Sequence, residues 1–168
     1  MKYLICCNLT EESIKDLKYY ENKNLNTYDS LRSKKYFYIP IINLNQEEYN
    51  KIKKSIAKHL EKLDAFRVQI SNIKMDSNKN IYLLIEPKGF LSKIYRILEE
   101  TLTEYKINSS YKLIKWECFY LNYMYTSKTN FDIKNISFPD HIRVNSIDLI
   151  KLNFKKFTII DSIKLKNI

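Results

Sequence analysis

The sequence predicts a single α+β domain, and three observations support this fold class. Short runs rich in aromatic and β-branched residues alternate with amphipathic segments in which apolar residues recur every three or four positions. The chain has 168 residues, the length of one domain, and no linker divides it. Its hydrophobic fraction of 45% is that of an ordinary folded protein. We therefore expect one domain over residues 1–168.

The first predicted unit is a strand followed by a short helix. Met1–Asn8 contains a short apolar run of strand length. Thr10 fits a helix N-cap, and the two glutamates that follow it favour the positive end of the helix dipole. We expect this helix to end near Tyr20. Glu21–Lys35 is polar and lacks periodicity, which predicts a loop, and loops of this length are often functional.

The second unit is again a strand and a helix. Tyr36–Leu44 is rich in aromatic and β-branched residues, and Pro40 within it indicates an edge strand or a bulge. Asn45 is predicted to cap a helix with two glutamates in its first turn. The apolar stripe of this helix is Ile52, Ile56, Leu60 and Leu63.

Two strands and a third helix follow. Phe66–Ile70 alternates apolar and polar residues, and Ile81–Ile85 is a second strand beyond a turn signal at Asp76–Asn78. These strands should pair antiparallel. Phe90–Tyr105 is predicted to be a helix, with Leu91, Ile94, Tyr95, Leu98 and Leu102 on one face.

The last part of the chain is predicted to be mostly strand. Leu113–Tyr123 is a strand, and Thr126–Pro139 is a polar loop. Val144–Leu152 and Phe157–Leu165 form a closing hairpin. The predicted order of elements is β-α-β-α-β-β-α-β-β-β.

The chain is strongly basic. Its formal net charge is +10 and its pI is about 9.3. This balance fits a polyanionic partner, because Lys and Arg that contact phosphates release counterions. The alternative is that lysine only keeps the protein soluble. No run of five or six like charges occurs, so any basic patch must be created by folding.

Several classes of site are disfavoured by composition. The single glycine, Gly89, excludes a glycine-rich phosphate loop and a dinucleotide fingerprint. The three cysteines, Cys6, Cys7 and Cys118, have no metal-ligand spacing and are expected to be reduced and buried. We therefore expect no metal and no cofactor. No apolar run is long enough for a signal peptide or a membrane span, which predicts a cytoplasmic protein without a membrane partner.

Three segments carry a resemblance to a known family. Tyr36–Asn43 is a strand followed directly by the acidic helix start Asn45–Tyr49, Ile114–Tyr123 is a later strand, and Arg143–Leu149 with Phe157–Ile160 forms the last hairpin. With the order of elements, these segments resemble the 2H phosphoesterases, in the branch of the 2′-5′ RNA ligases and cyclic phosphodiesterases (LigT-like). The resemblance covers nearly the whole chain.

The resemblance implies a two-lobed fold in which two antiparallel-rich sheets form a central cleft and the helices pack outside. In that family each lobe supplies a His-x-Thr or His-x-Ser motif to the cleft. One histidine acts as base and the other as acid, while the hydroxyls hold the phosphoryl oxygens. Imidazole suits both roles because its pKa lies near neutrality.

This sequence departs from the family at the first motif. The matching positions are Tyr36 and Tyr38, or Tyr38 and Pro40 if the alignment slides by two residues. Neither alignment supplies a histidine. A tyrosine with an ordinary pKa near 10 is a poor base at pH 7.

The second motif is degenerate in the same way. Its positions are Trp116 and Cys118, or Glu117 and Phe119. Strand alternation does not decide between these pairs, since Glu117 is an unusual core residue and Trp116 an ordinary one. Both catalytic histidines are therefore missing.

Only two histidines exist that could replace them. His59 lies within the second predicted helix and is interpreted as a surface residue. His141 precedes the closing hairpin, and His141 with Arg143 weakly resembles a His-x-Thr motif. The favoured role of His141 is structural, although together with Arg143 it could stabilise a phosphate.

Aromatic and basic residues alternate on the predicted cleft strands. Rings in a basic groove can stack on bases, whereas the same rings in a half-buried sheet only fill the core. The predicted ligand-binding residues are Lys34, Lys35, Tyr36, Tyr38, Lys115, Tyr120 and Arg143.

Three functions remain open from the sequence. The preferred one is a catalytically degenerate protein (a pseudoenzyme) that binds RNA or a nucleotide in the former active-site cleft. The second is an active RNA-end or cyclic phosphodiesterase with a non-standard set such as Tyr36, Tyr38, Glu117 and His141. The third is a scaffold for a protein partner whose cleft is filled by its own aromatic side chains.

Overall fold

The computed structural model describes residues 2–108, 118–154 and 156–167. Within these residues the chain forms three α-helices, a short 3-10 turn at Ile133–Asn135 and eight strands. The helices are α1 (Glu11–Thr27), α2 (Gln46–Leu60) and α3 (Phe90–Glu104). The strands are β1 (Lys2–Leu9), β2 (Leu31–Ser33), β3 (Tyr38–Asn43), β4 (Phe66–Met75), β5 (Asn80–Ile85), β6 (Phe119–Thr126), β7 (His141–Asn153) and β8 (Lys156–Lys164).

All neighbouring strands are antiparallel, in the order β2-β6-β5-β4-β7-β1-β3, with β8 beside β7. Strand β4 links two lobes, because its first residues, Phe66–Gln69, pair with β7 and its later residues pair with β5. The two expected sheets are thus halves of one continuous sheet. Strands β3 and β6, which belong to different lobes, lie next to each other across the cleft. The predicted α+β class is confirmed.

Helix α1 is longer than predicted. Thr10 caps it as expected, its Oγ1 accepting a hydrogen bond from the backbone N–H of Ser13 at 3.2 Å. The predicted end near Tyr20 is wrong, because the buried face continues through Glu21 and Asn24. The side chain of Asn24 donates to the carbonyl of Ser137 at 2.7 Å. The buried face of this helix contains polar residues, so the spacing of apolar residues alone does not reveal its full length.

The rest of the predicted loop contains strand β2. Leu31, Arg32 and Ser33 pair with the end of β6. Three residues are too few to show the alternation that identifies a strand in sequence. The segment predicted as one loop from Glu21 to Lys35 is therefore a helix end, a turn and a short edge strand.

The other two helices form as predicted, except that α2 ends at Leu60, so Leu63 of its expected stripe lies beyond the helix. Asn45 and Glu48 make a reciprocal capping box at the start of α2, with distances of 2.8 and 3.1 Å. Helix α3 begins after Gly89, whose φ of 66° lies in the left-handed region that glycine tolerates. Both helices bury their apolar stripes against the same face of the sheet.

The sheet has two distinct faces. The helix side carries the main core, which on β6 includes Phe119, Leu121 and Tyr123. The opposite face, called the cleft face below, carries two smaller clusters of buried side chains, one in each lobe. They are centred on Leu4, Cys6 and Ile150 and on Tyr82, Leu84 and Tyr120.

The turns between the later strands also agree with the sequence. Asp76 Oδ1 accepts hydrogen bonds from the backbone N–H groups of Asn78 and Asn80 at 2.9 Å, which closes the β4–β5 turn. Strands β7 and β8 form the predicted hairpin. The predicted strand Leu113–Tyr123 is described only from Cys118, since residues 113–117 lie outside the described part. In that part, no helix is both long and apolar enough to cross a membrane.

Candidate functional site

The first motif segment lies on the cleft face of β3. Tyr38 is paired with Asn8, and Pro40 with Cys6, across the β1–β3 ladder. The Tyr38 ring packs 5.4 Å from the ring of Phe157. Tyr36 precedes the strand, so of the two alignments only Tyr38 and Pro40 lie together within β3. Proline carries no hydroxyl with which to hold a phosphoryl oxygen.

The second motif segment is partly described. Cys118 packs against the cleft-face cluster that contains Tyr120, whereas Phe119 is 2% exposed and contacts the ring of Tyr95 on the helix side at 5.8 Å. The structure therefore assigns Cys118, not Phe119, to the cleft face. The predicted residues Lys115, Trp116 and Glu117 lie outside the described residues.

Burial affects the protonation of three side chains on the cleft face, Tyr38, Tyr120 and Cys6, which we call the cleft floor. Burial raises the pKa of the Tyr38 phenol, and the neighbouring Cys6 and Tyr120 raise it further. It also raises the pKa of Tyr120 and of the Cys6 thiol. These groups stay protonated near neutrality. They can donate hydrogen bonds, but they are poor bases and poor nucleophiles.

A basic and aromatic groove opens beside this floor. It surrounds a cavity of about 470 Å³ and is made by Lys34, Lys35, Tyr36, Tyr125, Phe154 and Lys156, with Ser33 and Leu152 completing the wall. None of the described residues that line it is acidic. We call these six residues the lysine–aromatic groove.

Lys34 is the most confined of the three lysines. Its Nζ lies 5.1 Å from the centroid of the Tyr125 ring, within the range of a cation–π contact. Partial burial lowers the pKa of Lys34, and the charge of Asp76 acts in the opposite direction. A cation held against a ring, away from bulk water, interacts more strongly with an incoming anion than a fully solvated one does.

A second cavity, of about 590 Å³, shares Lys35 and Tyr36 with the groove. Tyr36 stacks on Phe157 with centroids 4.9 Å apart and planes at 18°. The polar part of this cavity consists of Asn8, Asn145, Ser146, Asp148 and Ser162, with Lys18 and Lys164 among its other lining residues. Together the two cavities make the mouth of the cleft both aromatic and rich in lysine.

Asp148 is a charged residue held inside the second cavity. It is only 2% exposed. The side-chain amide of Asn8 donates a hydrogen bond to its carboxylate, and Ser162 Oγ donates another at 2.5 Å. The two hydrogen bonds compensate part of the cost of burying the charge. The carboxylate is thus an oriented acceptor in the lining of the cavity.

Each cleft strand also carries an asparagine with an unused acceptor. The side-chain oxygens of Asn43 on β3 and Asn122 on β6 are buried and have no hydrogen-bond partner within the described residues. An unpaired buried acceptor costs about 1–3 kcal/mol. Such groups gain free energy when a donor, for example a hydroxyl or amino group of a ligand, reaches them.

The histidines do not take the places of the missing pair. His59 is exposed on α2, as predicted. His141 is the first residue of β7 and lines a different cavity, of about 520 Å³, together with Arg67, Glu86 and Asp140. Tyr38 and Ser146 both pair with Asn8 of β1, so they lie at the same level of the sheet. Ser146 is five residues from His141, which corresponds to about 16 Å along β7.

Arg143 is likewise not part of the lysine–aromatic groove. Its guanidinium lies 3.4 Å from the carbonyl of Ala65, and its backbone N–H and C=O bond to Ser13 Oγ and Thr10 N. The structure therefore does not bring Arg143 together with the cleft lysines, and its role in ligand binding stays a prediction. Arg143 lies near the first residue of β7, against the start of α1. The groove lies at the other end of β7, beside the turn to β8.

Sequence reasoning missed the contribution of the last hairpin. Phe154 and Lys156 complete the groove, and Asp148 and Phe157 complete the second cavity. Two signals were available in the sequence. A charged residue interrupts the apolar run from Ile147 to Ile150, and a phenylalanine occupies a hairpin turn where Asn or Gly is usual.

Known structures share this fold. The chain aligns over 98% of its length with a crystal structure of a phosphoesterase (11% identity, 98% of that chain, TM-score 0.69). It aligns over 99% with TT0787 of Thermus thermophilus (12% identity, 99% of that chain, TM-score 0.67). It aligns over 98% with E. coli LigT complexed with 3′-AMP (9% identity, 98% of that chain, TM-score 0.66).

These similarities establish the fold and nothing finer. No protein-family model matches the chain, and no curated protein matches it in sequence. The structural neighbours, among them LigT and a phosphoesterase, confirm the fold that the order of elements predicts. The chain therefore has a LigT-like phosphoesterase fold.

Proposed function

We propose that this protein is a catalytically degenerate relative of the LigT-like phosphoesterases and binds a nucleotide or an RNA strand at the mouth of the cleft. The observation that carries the proposal is the lysine–aromatic groove, a cavity with three lysines, three rings and no acidic residue among its described lining. Lysines match phosphate, and rings match bases.

The location of the groove supports the nucleotide class. It lies beside β3 and β6, the two strands that face each other across the cleft. E. coli LigT, which has the same fold, has been crystallised with 3′-AMP and with phosphate. A groove of matching chemistry on the same fold is most simply explained by a ligand of the same class.

Loss of catalysis is supported by the chemistry of the cleft floor. The positions that match the first motif within β3 are a phenol with a raised pKa and a proline. Both histidines of the chain lie elsewhere. The non-standard enzyme set also loses support, because His141 and Tyr38 line different parts of the molecule.

The scaffold hypothesis depends on a closed cleft. Tyr36 and Tyr38 both pack against Phe157, so part of the cleft is filled by its own side chains. Tyr36 nevertheless lines two cavities of about 470 and 590 Å³, and each is large enough for part of a nucleotide. The open cavities favour an anionic ligand of the nucleotide class over the scaffold hypothesis, which requires a cleft filled by its own side chains.

Binding can be tested with charge-reversal variants. Anisotropy of fluorescein-labelled single-stranded RNA should show more than tenfold weaker binding at low salt for Lys34→Glu with Lys35→Glu. The slope of log affinity against log salt should fall by about 1.4, or about 0.7 for each lost phosphate contact. The matched control is Lys51→Glu with Lys54→Glu, the same charge change on exposed positions of α2. Equal losses in both doubles would indicate only general charge attraction.

Catalysis is tested separately with 2′,3′-cyclic AMP and a 2′-5′-linked dinucleotide. We expect no turnover above the buffer rate by the purified protein. Hydrolysis that disappears in Tyr38→Phe would contradict the loss of activity. It would instead establish the non-standard phosphodiesterase.

A further inference from the structure

We infer that the groove takes a single-stranded oligonucleotide rather than a mononucleotide, with Phe154 of the β7–β8 hairpin stacking on a base beyond the first one bound. This inference rests on the proposed function and specifies its ligand. It concerns a part of the chain that lies outside the two motif strands, since Phe154 follows the end of β7.

Both the backbone conformation and the exposure of Phe154 are unfavourable for the stability of the fold. Phe154 is the first residue between Asn153 and Lys156, which pair at the end of the hairpin, and its φ is 46°. Left-handed φ is unfavourable for a bulky residue, and Asn or Gly normally occupies this place in a tight hairpin. Its ring is also fully exposed. The residue thus combines backbone strain with an apolar ring in water, and such outliers concentrate at functional sites.

The surroundings of this ring specify the kind of partner. Phe154 shares its cavity with Tyr125, which is 40% exposed, and Tyr36, which is 41% exposed. Lys34 and Lys156 line the same cavity. Several accessible rings interleaved with cations are the arrangement that binds successive bases and the phosphates between them. An apolar protein segment would gain nothing from the lysines.

The size of the surface argues for more than one nucleotide. Tyr36 also borders the second cavity, so stacking surfaces continue from Phe157 past Tyr36 to Tyr125 and Phe154. A mononucleotide offers one base and can cover only one of these surfaces. A strand of several nucleotides can use all of them, with its phosphodiesters against the lysines.

The test compares three probes of defined chemistry: AMP, single-stranded hexa-adenylate, and a hexamer with the same phosphodiester backbone but no bases. Hexa-adenylate should bind at least about tenfold more tightly than either of the others, the gain expected from additional stacked bases. Phe154→Asn should remove most of that gain, weaken hexa-adenylate binding more than AMP binding, and leave the melting temperature equal or higher because Asn tolerates left-handed φ.

Other results would overturn the inference in distinguishable ways. If AMP and hexa-adenylate bind equally and Phe154→Asn changes neither affinity, the inferred oligonucleotide ligand is wrong. The proposed nucleotide site would still stand. Equal binding of the two hexamers shows that charge alone acts. Binding of a labelled hexaglutamate peptide in preference to all three, weakened by Phe154→Asn, assigns the groove to an acidic protein segment. If Lys34→Glu with Lys35→Glu leaves every probe unaffected, the proposed function itself fails.

Discussion

Tyr36 stacks on Phe157 with ring centroids 4.9 Å apart and planes at 18°, which joins the residue before β3 to the strand that closes the chain. Tyr36 also lines both cavities at the mouth of the cleft. Tyr36 is therefore an aromatic wall shared by two cavities. A wall of this kind can stack on a base.

Removal of the Tyr36 ring should lower the affinity for the ligand more than the stability of the fold. Tyr36→Ala is expected to lower the affinity for hexa-adenylate about fivefold to tenfold, since one stacked base is lost. Tyr36 is 41% exposed, so the melting temperature should change little. Tyr105→Ala, which removes a ring of similar exposure (45%) at the end of α3, is the control for anisotropy titrations. A large loss of stability without a loss of affinity would make Tyr36 a packing residue.

The lowered pKa of Lys34 predicts how binding depends on pH. Burial lowers the pKa of Lys34, so it loses its charge at a lower pH than ordinary lysines, whose pKa is about 10.4. An anionic ligand is attracted only by the protonated form. Affinity should therefore fall as pH rises through the lowered pKa of Lys34. Hexa-deoxyadenylate, which resists alkali, is the suitable probe.

Lys34→Arg provides the control for this pH dependence. Arginine remains charged throughout the accessible range and can keep the contact with the Tyr125 ring. The early decline of affinity should disappear in this variant and persist in Lys156→Arg. An identical pH profile in all three proteins would show that Lys34 does not contact the ligand.

The buried side chain of Asn24 should contribute strongly to stability. It donates to the carbonyl of Ser137 at 2.7 Å and to Tyr123 Oη at 3.2 Å, and its oxygen accepts from Ser137 N at 2.8 Å. Asn24→Ala leaves the Ser137 N–H without its partner, whereas the Ser137 carbonyl still accepts from Tyr123 Oη at 3.0 Å. The expected cost is about 1–3 kcal/mol in the free energy of unfolding. Urea denaturation of Asn24→Ala and of the exposed control Asn22→Ala measures the difference, and the control should lose less than about 0.5 kcal/mol.

The same residue shows why the sequence predicted the fold but not every element. Asn45 and the stripe of α2 were recognised because caps and apolar periods are local signals. Glu21 and Asn24 are buried, but their partners are more than ten residues away in the chain, so their burial was invisible. The pattern of apolar residues therefore predicts a loop where the end of α1 lies.

The site was predictable only where neighbours in sequence are neighbours in space. Lys34, Lys35 and Tyr36 are consecutive and do line one cavity. Phe154 and Lys156 reach that cavity through the β7–β8 hairpin, and Arg143, at the other end of β7, does not. Which end of a long strand reaches a cleft depends on register, and register is fixed by pairing with distant strands.

The stability of the protein in acid should depend on Asp161. Tyr49 Oη donates to Asp161 at 2.7 Å, and Lys53 Nζ lies 2.9 Å from the same carboxylate, which ties α2 to β8. Burial alone would raise the pKa of Asp161, but the bonds from Tyr49 and Lys53 outweigh it and hold this pKa below its ordinary value. The stabilisation is therefore complete above about pH 5 and is lost as pH falls through the unfolded and then the folded pKa. In Asp161→Asn, unfolding by urea should depend less on pH between about 5 and 2 than in the wild type, whereas Asp16→Asn, an exposed change on α1, should leave the wild-type dependence intact. Identical pH profiles for Asp161→Asn and the wild type would show that this carboxylate is not perturbed by its partners.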